Sequence, residues 1–298
     1  VAQPPESAQR HYTNRQALTN AASADAKRRW RLVDPNNIAT SWTRQSAALT
    51  VTVSGAQAAA ATSADPYVQA TLAAQGSPAV AEYAVAALAL AGVTADGRDL
   101  HSLLFEPAIT ALVGIKGGQD PDRALAAGLA QLDTMVRTEV ADAGRTADQI
   151  ATTTHGADGY VRLTVGPTCN RCLILAGRWY RYSTGFERHP NCDCVMVPAP
   201  EDAEPLTSPE AVYADLSPAE RTAAGWSQAE QHAIDLGADI VAVTNIHRAG
   251  SLYTAGGRQF TREAAGKRPR ITPRQIFIEA GNNRDDAIRL LKLHRYIR

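Results

Sequence analysis

All four cysteines of this 298-residue chain fall within twenty-six residues, as Cys169-x-x-Cys172 and, behind His189-Pro190-Asn191, Cys192-x-Cys194. Cysteines used as small core residues would be scattered, so the clustering asks for a chemical cause. Two closely spaced thiol pairs separated by a short loop suit a tetrahedral metal, because zinc takes four soft or borderline ligands at fixed angles. Cys-x-x-Cys turns two sulfurs toward one point. Cys-x-Cys on an extended segment presents both side chains on one face, since strand side chains alternate. His189 is a fifth candidate for four places. The leading expectation is a structural zinc knuckle held by Cys169, Cys172, Cys192 and Cys194, with His189 as substitute ligand. Two disulfides, formed in an oxidising compartment or a virion, are the competing reading. A redox-active Cys-x-x-Cys is the third, and it lacks a flanking βαβ pattern. A catalytic zinc is disfavoured, because four thiolates close the coordination shell and leave no position for water.

The rest of the chain sets the surroundings of this cluster. With 45 % hydrophobic but only 6 % aromatic residues and much alanine, it favours helices packed through small side chains over a strand-rich sandwich. Formal net charge is zero, so bulk charge points to neither nucleic acid nor membrane. The longest apolar run, Tyr83 to Val93, is about half of what spans a bilayer, and no secretory pattern opens the chain at Val1.

Three parts are expected: residues 1–150, 151–200 and 201–298. The first reads as a helical bundle behind an arm at Gln3-Pro4-Pro5. Ser77-Pro78 opens an Ala- and Leu-rich helical segment that stops near Gly92, and Asp96-Gly97 is a turn. Leu100 to Ile115 is helical, with Pro107 starting or kinking a helix there. Gly117-Gly118 breaks the chain, and Asp120-Pro121 opens a longer amphipathic helix with Leu125, Leu129, Leu132 and Val136 at helical spacing. Trp30 and Trp42 are expected to pack within this part.

The second part holds three expected strands, at Val161–Val165, Arg178–Tyr182 and Cys194–Val197, with Gly166-Pro167 ending the first and Trp179 and Tyr180 covering the cysteine module. So small a β-rich module has too little core to stand alone, which a metal or cross-links would remedy. Pro198, Pro200 and Pro205, with Glu201, Asp202, Glu204 and Glu210, mark a linker. In the third part, Ser217-Pro-Ala-Glu220 and Ser227-Gln-Ala-Glu230 fit the capping box. Gly237 stops the second of these helices. Thr272-Pro273-x-Gln275 starts another that Gly281 ends, and Asp285 to Tyr296 forms the last. Tyr253 to Lys267, with Gly256-Gly257 and Gly266, reads as a loop or hairpin. The overall expectation is a mainly α chain: an N-terminal helical bundle, a central small β-rich zinc-knuckle-like module, and short C-terminal helices.

The tail is basic. From Arg258 to Arg298 there are eleven Arg or Lys against four Asp or Glu, a surplus of seven. This is either a solvated face or a surface for an acidic partner or packaged nucleic acid. No Gly-x-Ser-x-Gly elbow, His-Glu-x-x-His, phosphate loop or dinucleotide fingerprint is present. His101, His155, His232 and His247 are isolated in sequence and read as surface or packing histidines, and no catalytic residue is assigned.

The order Cys169-x-x-Cys172, Leu173-Ile-Leu-Ala-Gly177, aromatics, His189-Pro-Asn-Cys192-x-Cys194 and a Val-x-Val-Pro exit resembles MuF-like minor head proteins of tailed bacteriophages. So does the C-terminal run with Ile234-Asp-Leu-Gly-Ala-Asp239, Asn245, Tyr253-Thr-Ala-Gly-Gly257 and Asp286-Ala-Ile-Arg-Leu-Leu291, then Tyr296. That run is similar to proteins encoded next to the portal gene in actinobacterial phages. The likeness covers residues 155–298, and the helical part shares only its general character. It implies a structural minor capsid protein of the virion, in the capsid interior or at the portal vertex, made in the host cytoplasm. The implied partners are the portal protein and the major capsid protein, with packaged DNA a further one and no membrane. Some relatives are labelled capsid maturation proteases, so proteolysis in the procapsid is the alternative the resemblance carries.

Overall fold

A computed structural model describes residues 5–165, 168–185, 189, 192, 194–203, 207–248, 250–263, 269–281 and 283–297. The expectations at Gln3-Pro4, Gly166-Pro167, Pro205 and Gly266-Lys267 lie outside the described residues. The fold is mainly α-helical, with few strands, and divides into two units: residues 3–165 with 179–204, and residues 166–178 with 205–298.

The first unit is built on five helices: α1 (Glu6–Trp30), α2 (Ile38–Thr62), α3 (Ala64–Ala74), α4 (Leu100–Lys116) and α5 (Pro121–Thr154). Local chemistry fixes where α4 and α5 begin. Asp99 accepts from the Ser102 amide, and Asp120 accepts from the Asp122 and Arg123 amides with Pro121 in the first turn, where its missing N–H costs nothing. Helices α1, α2, α4 and α5 share one core, in which Ala22, Ala26, Ala60, Ala108 and Ala111 let backbones approach around Trp30, Trp42, Leu49, Leu104, Leu132 and Val136. The two indoles meet edge to face at 4.8 Å, and their N–H groups donate to the Leu125 and Leu104 carbonyls. Gly128 is required here: a Cβ would lie 2.6 Å from the Trp30 ring and 2.8 Å from the Pro107 carbonyl oxygen.

Two expectations are corrected in this unit. The segment from Ser77 to Gly92 is not an α-helix. Its sole helical element is a 3₁₀ turn at Ala87–Leu90. Alanine gives the stretch propensity but no apolar stripe, and Val80, Tyr83 and Leu88 are all exposed. A short helix with no buried face lacks the packing that stabilises it. Helix α4 does not start at Pro107, although Leu100 to Ile115 is helical as expected. It runs Leu100–Lys116 with Pro107 buried inside it, so packing outweighs the loss of one backbone donor.

The strands β1 (Gly159–Leu163), β2 (Trp179–Arg181) and β3 (Val195–Ala199) form an antiparallel sheet in the order β2-β1-β3. Every residue of β1 and β3 is buried. Helix α5 packs on both strands and α3 on β3. The Tyr67 hydroxyl of α3 donates to the Met196 carbonyl at 2.7 Å, and Gln75 to that of Pro198 at 2.8 Å. Trp179 donates its indole N–H to the Ala199 carbonyl, and Tyr180 stacks on Tyr160.

The second unit contains α6 (Asn170–Leu173), α7 (Pro209–Asp215), α8 (Pro218–Ala224), α9 (Gln228–Asp235), α10 (Ile240–Thr244), α11 (Pro273–Ala280) and α12 (Arg284–Leu293). Both expected capping boxes form, with Ser217 and Glu220 satisfying each other's backbone amides and Ser227 and Glu230 doing the same. Thr272 caps α11, which Gly281 ends, and Asn283 caps α12. The strands β4 (Leu252–Ala255) and β5 (Arg258–Thr261) make the expected hairpin, and β6 (Arg270–Ile271) extends it. Gly256 and Gly257 both take positive φ, as a tight hairpin turn needs. Leu173, Tyr213, Trp226 and Ile240 form one core of this unit. Ile246, Ile271, Ile276, Leu291 and Tyr296 belong to another. Among the described residues, no helix is long and apolar enough to cross a membrane.

Candidate metal centre

Cys169 stands just before α6, and its carbonyl accepts from the amides of Cys172 and Leu173. This single turn returns Cys172 toward Cys169 while Leu173 is buried in the core with Trp226. In the second pair, Cys194 directly precedes β3, and the Cys192 amide donates to the His189 carbonyl at 3.1 Å. Cys172, Cys192 and Cys194 are buried and Cys169 is half-buried, and no disulfide joins them. The ligand atoms of Cys169, Cys172 and His189 lie within 4.8 Å of one another, and so do those of Cys172, Cys192 and Cys194. Sulfurs bound at about 2.3 Å to one tetrahedral zinc are roughly 3.8 Å apart. Each group could hold a soft or borderline cation, and Cys172 belongs to both.

Sequence reasoning missed the groups that support the second pair. Three arginines, from three elements of the first unit, converge on Cys192 and Cys194. Arg15 of α1 donates to the Cys194 carbonyl at 3.1 Å, and Arg145 of α5 donates to the Cys192 carbonyl. Arg162 of β1 reaches the sulfurs themselves: Nε lies 3.2 Å from Cys194 Sγ, and Nη2 lies 3.7 Å from Cys192 Sγ. All three side chains are buried. Buried guanidinium groups are costly unless paired, and carboxylates meet two of them. Asp148 binds Arg15 at 3.1 Å and His11 at 2.9 Å, and Asp142 binds Arg145. The His11 ring stacks on Tyr67 at 3.9 Å. Burial, and then the charge of Asp148, push the Tyr67 phenol well above its ordinary range, so it stays a neutral donor to β3. A hint was present in sequence, since Asp142, Arg145 and Asp148 lie three apart along α5 and so share one face. Arg162 gave none, because a charged residue in a short alternating strand reads as solvent-facing.

Three histidines away from the cluster, His155, His232 and His247, have packing or hydrogen-bond partners. His155 Nδ1 is 2.8 Å from the Ala151 carbonyl, and His232 stacks on Phe277 at 4.3 Å. His247 Nε2 contacts the Glu230 carboxylate, whose other oxygen accepts the Ser227 amide of the capping box. The hydrogen bond that its ring donates to Glu230 raises the His247 pKa. Burial alone would raise Glu230, but its bonds to His247 and Ser227 prevail and lower it.

Fold and site together define a mainly helical protein with a thiol-rich cluster set where a small sheet meets buried arginines. The chain belongs to the VG15 protein family, whose model matches residues 3–218, and this phage-related family marks it as a phage-associated protein. The matched span takes in the helical unit together with all five cluster residues. No curated protein and no solved structure matches the chain at a significant level.

Proposed function

We propose that this chain is a structural, MuF-like minor capsid protein of a tailed phage, associated with the portal during head assembly and carrying one structural zinc in its cysteine cluster. The observation that carries the phage reading is the family match over residues 3–218. The cluster supports the metal reading: it holds five candidate ligands for four places, three of them buried thiols, with no disulfide among them. A full complement of thiolates leaves no open coordination position, so the metal would fix the Cys-x-x-Cys turn and the approach to β3 without activating water. His189 would serve if one thiol were not engaged.

The helical unit is the part proposed to dock on the portal or the major capsid protein. Its exposed apolar residues include Val51, Leu88, Ile109 and Val113. Such side chains reward helix-on-helix association. The basic tail is proposed to face packaged DNA, where each neutralised phosphate releases counterions. Part of its charge is internal, since Arg270 is buried over the Tyr296 ring and Arg258 forms a two-pronged pair with Glu279.

The test is incorporation. Deleting the chain after residue 207 should leave the protein in purified particles, whereas removing residues before 150 should abolish its incorporation. Particles that lack the full-length protein altogether would overturn the capsid assignment. A folded, incorporated variant in which one serine or histidine substitution stops processing of the major head protein would replace it with the protease reading.

A further inference from the structure

We infer that Arg162 is the positioning residue of the metal centre. It holds the Cys192 and Cys194 sulfurs as a pair and offsets the negative charge that they carry as ligands. This rests on the metal reading given above.

The argument begins with the geometry of the guanidinium. Nε and Nη2 are the two nitrogens on one edge of its planar fork, and each is directed at a different sulfur, at 3.2 Å and 3.7 Å. A fork that engages two acceptors fixes their separation as well as their position, which a point charge does not. The surroundings show that this placement is specific. Arg162 is one of the largest fully buried side chains of the molecule, on a strand paired on both sides. Thiolate ligands of a metal carry charge and accept hydrogen bonds more strongly than neutral thiols do.

The neighbouring arginines divide the work. Arg15 and Arg145 hold main-chain oxygens of the same two residues and are themselves matched to Asp148 and Asp142. The main-chain carbonyls of Cys192 and Cys194 are thus held by two arginines that carry carboxylate partners, while Arg162 reaches the two sulfurs. A tetrahedral centre with several thiolates has net negative charge, and a cation in contact with two of its sulfurs favours the loaded form over the empty one. Partners in this outer position set affinity by one to two orders of magnitude in characterised metal sites.

The experiment uses the full-length chain and its Arg162→Met, Arg162→Lys and Gly128→Ala variants. Zinc release to a coloured chelator gives affinity, and cobalt(II) titration reports thiolate ligation through its sulfur charge-transfer absorption. Circular dichroism follows the fold. Arg162→Met should bind zinc about 10- to 100-fold more weakly. Arg162→Lys should fall between it and the wild type, because an ammonium restores charge but not the fork. Gly128→Ala, which strains the helical core away from the cysteines, should lower the melting temperature and keep wild-type affinity. Wild-type affinity in Arg162→Met overturns this inference alone. So does equal loss in Gly128→Ala, which would make the effect one of stability. Should Arg162→Met fail to fold, unchanged affinity in Arg162→Lys overturns it. A wild-type chain that takes up no zinc defeats the metal reading itself.

Discussion

Replacing Glu139 by Gln should stabilise the protein above neutral pH and hardly change it in mild acid. Glu139 lies on α5 and is largely buried, with its carboxylate accepting the Ala95 amide at 3.0 Å. Burial is the main cause that raises its pKa from 4.5 to about 7, and the charges of Asp142 and Asp96 add to it against the opposing Ala95 bond. The sign follows from proton counting. Between about 4.5 and about 7 the folded chain retains a proton on Glu139 that the unfolded chain has lost, so stability falls as pH rises through this window. The full shift corresponds to roughly 3 kcal/mol at about 1.4 kcal/mol per unit, and solvent screening at the Ala95–Arg98 loop reduces the expected effect to ~1–2 kcal/mol. Glutamine keeps an oxygen for the Ala95 amide and carries no charge. Urea denaturation at pH 5 and pH 8 should show the variant equal to the wild type at the lower pH and ~1–2 kcal/mol more stable at the higher. The same difference at both pH values, or a less stable variant at pH 8, would refute the reasoning.

Gly128→Ala should cost about 1–3 kcal/mol in thermal or urea unfolding, because the new methyl meets the Trp30 ring and the Pro107 carbonyl at under 3 Å. An unchanged melting temperature would show that α1 and α4 have room to shift. His247→Gln should flatten the pH dependence of the C-terminal unit. The raised His247 pKa means that the pair with Glu230 stabilises the fold fully below the ordinary histidine range and is lost as pH rises through the folded value. Melting curves of wild type and variant from pH 5.5 to 8.5 should therefore converge at the alkaline end, and parallel curves would contradict this.

What the sequence revealed was mostly what local chemistry decides. The starts at Asp120-Pro121, Ser217, Ser227 and Thr272 were legible because a cap and the amides it satisfies lie within three residues of each other. The hairpin at Gly256-Gly257 was legible because its turn needs residues that accept positive φ. The cysteine cluster could be read because ligand spacing is itself a short-range pattern. The stretch from Ser77 to Gly92 misled, since alanine content resembles helix propensity while the deciding factor, a face to bury, is set by the rest of the bundle. Arg162 was illegible for the same reason. Its burial depends on α5 covering β1 and on two sulfurs thirty and thirty-two residues further along the chain, and no local rule distinguishes that arginine from a solvated one.

The measurement that bears most directly on the central claim is the metal content of the native protein, taken with the reactivity of its thiols. Elemental analysis of full-length protein purified without chelator should find about one zinc per chain, with Cys169, Cys172, Cys192 and Cys194 resistant to alkylation until a chelator removes the metal. Metal-free protein whose four cysteines are paired as two disulfides, or are freely alkylated while the fold persists, would contradict the account.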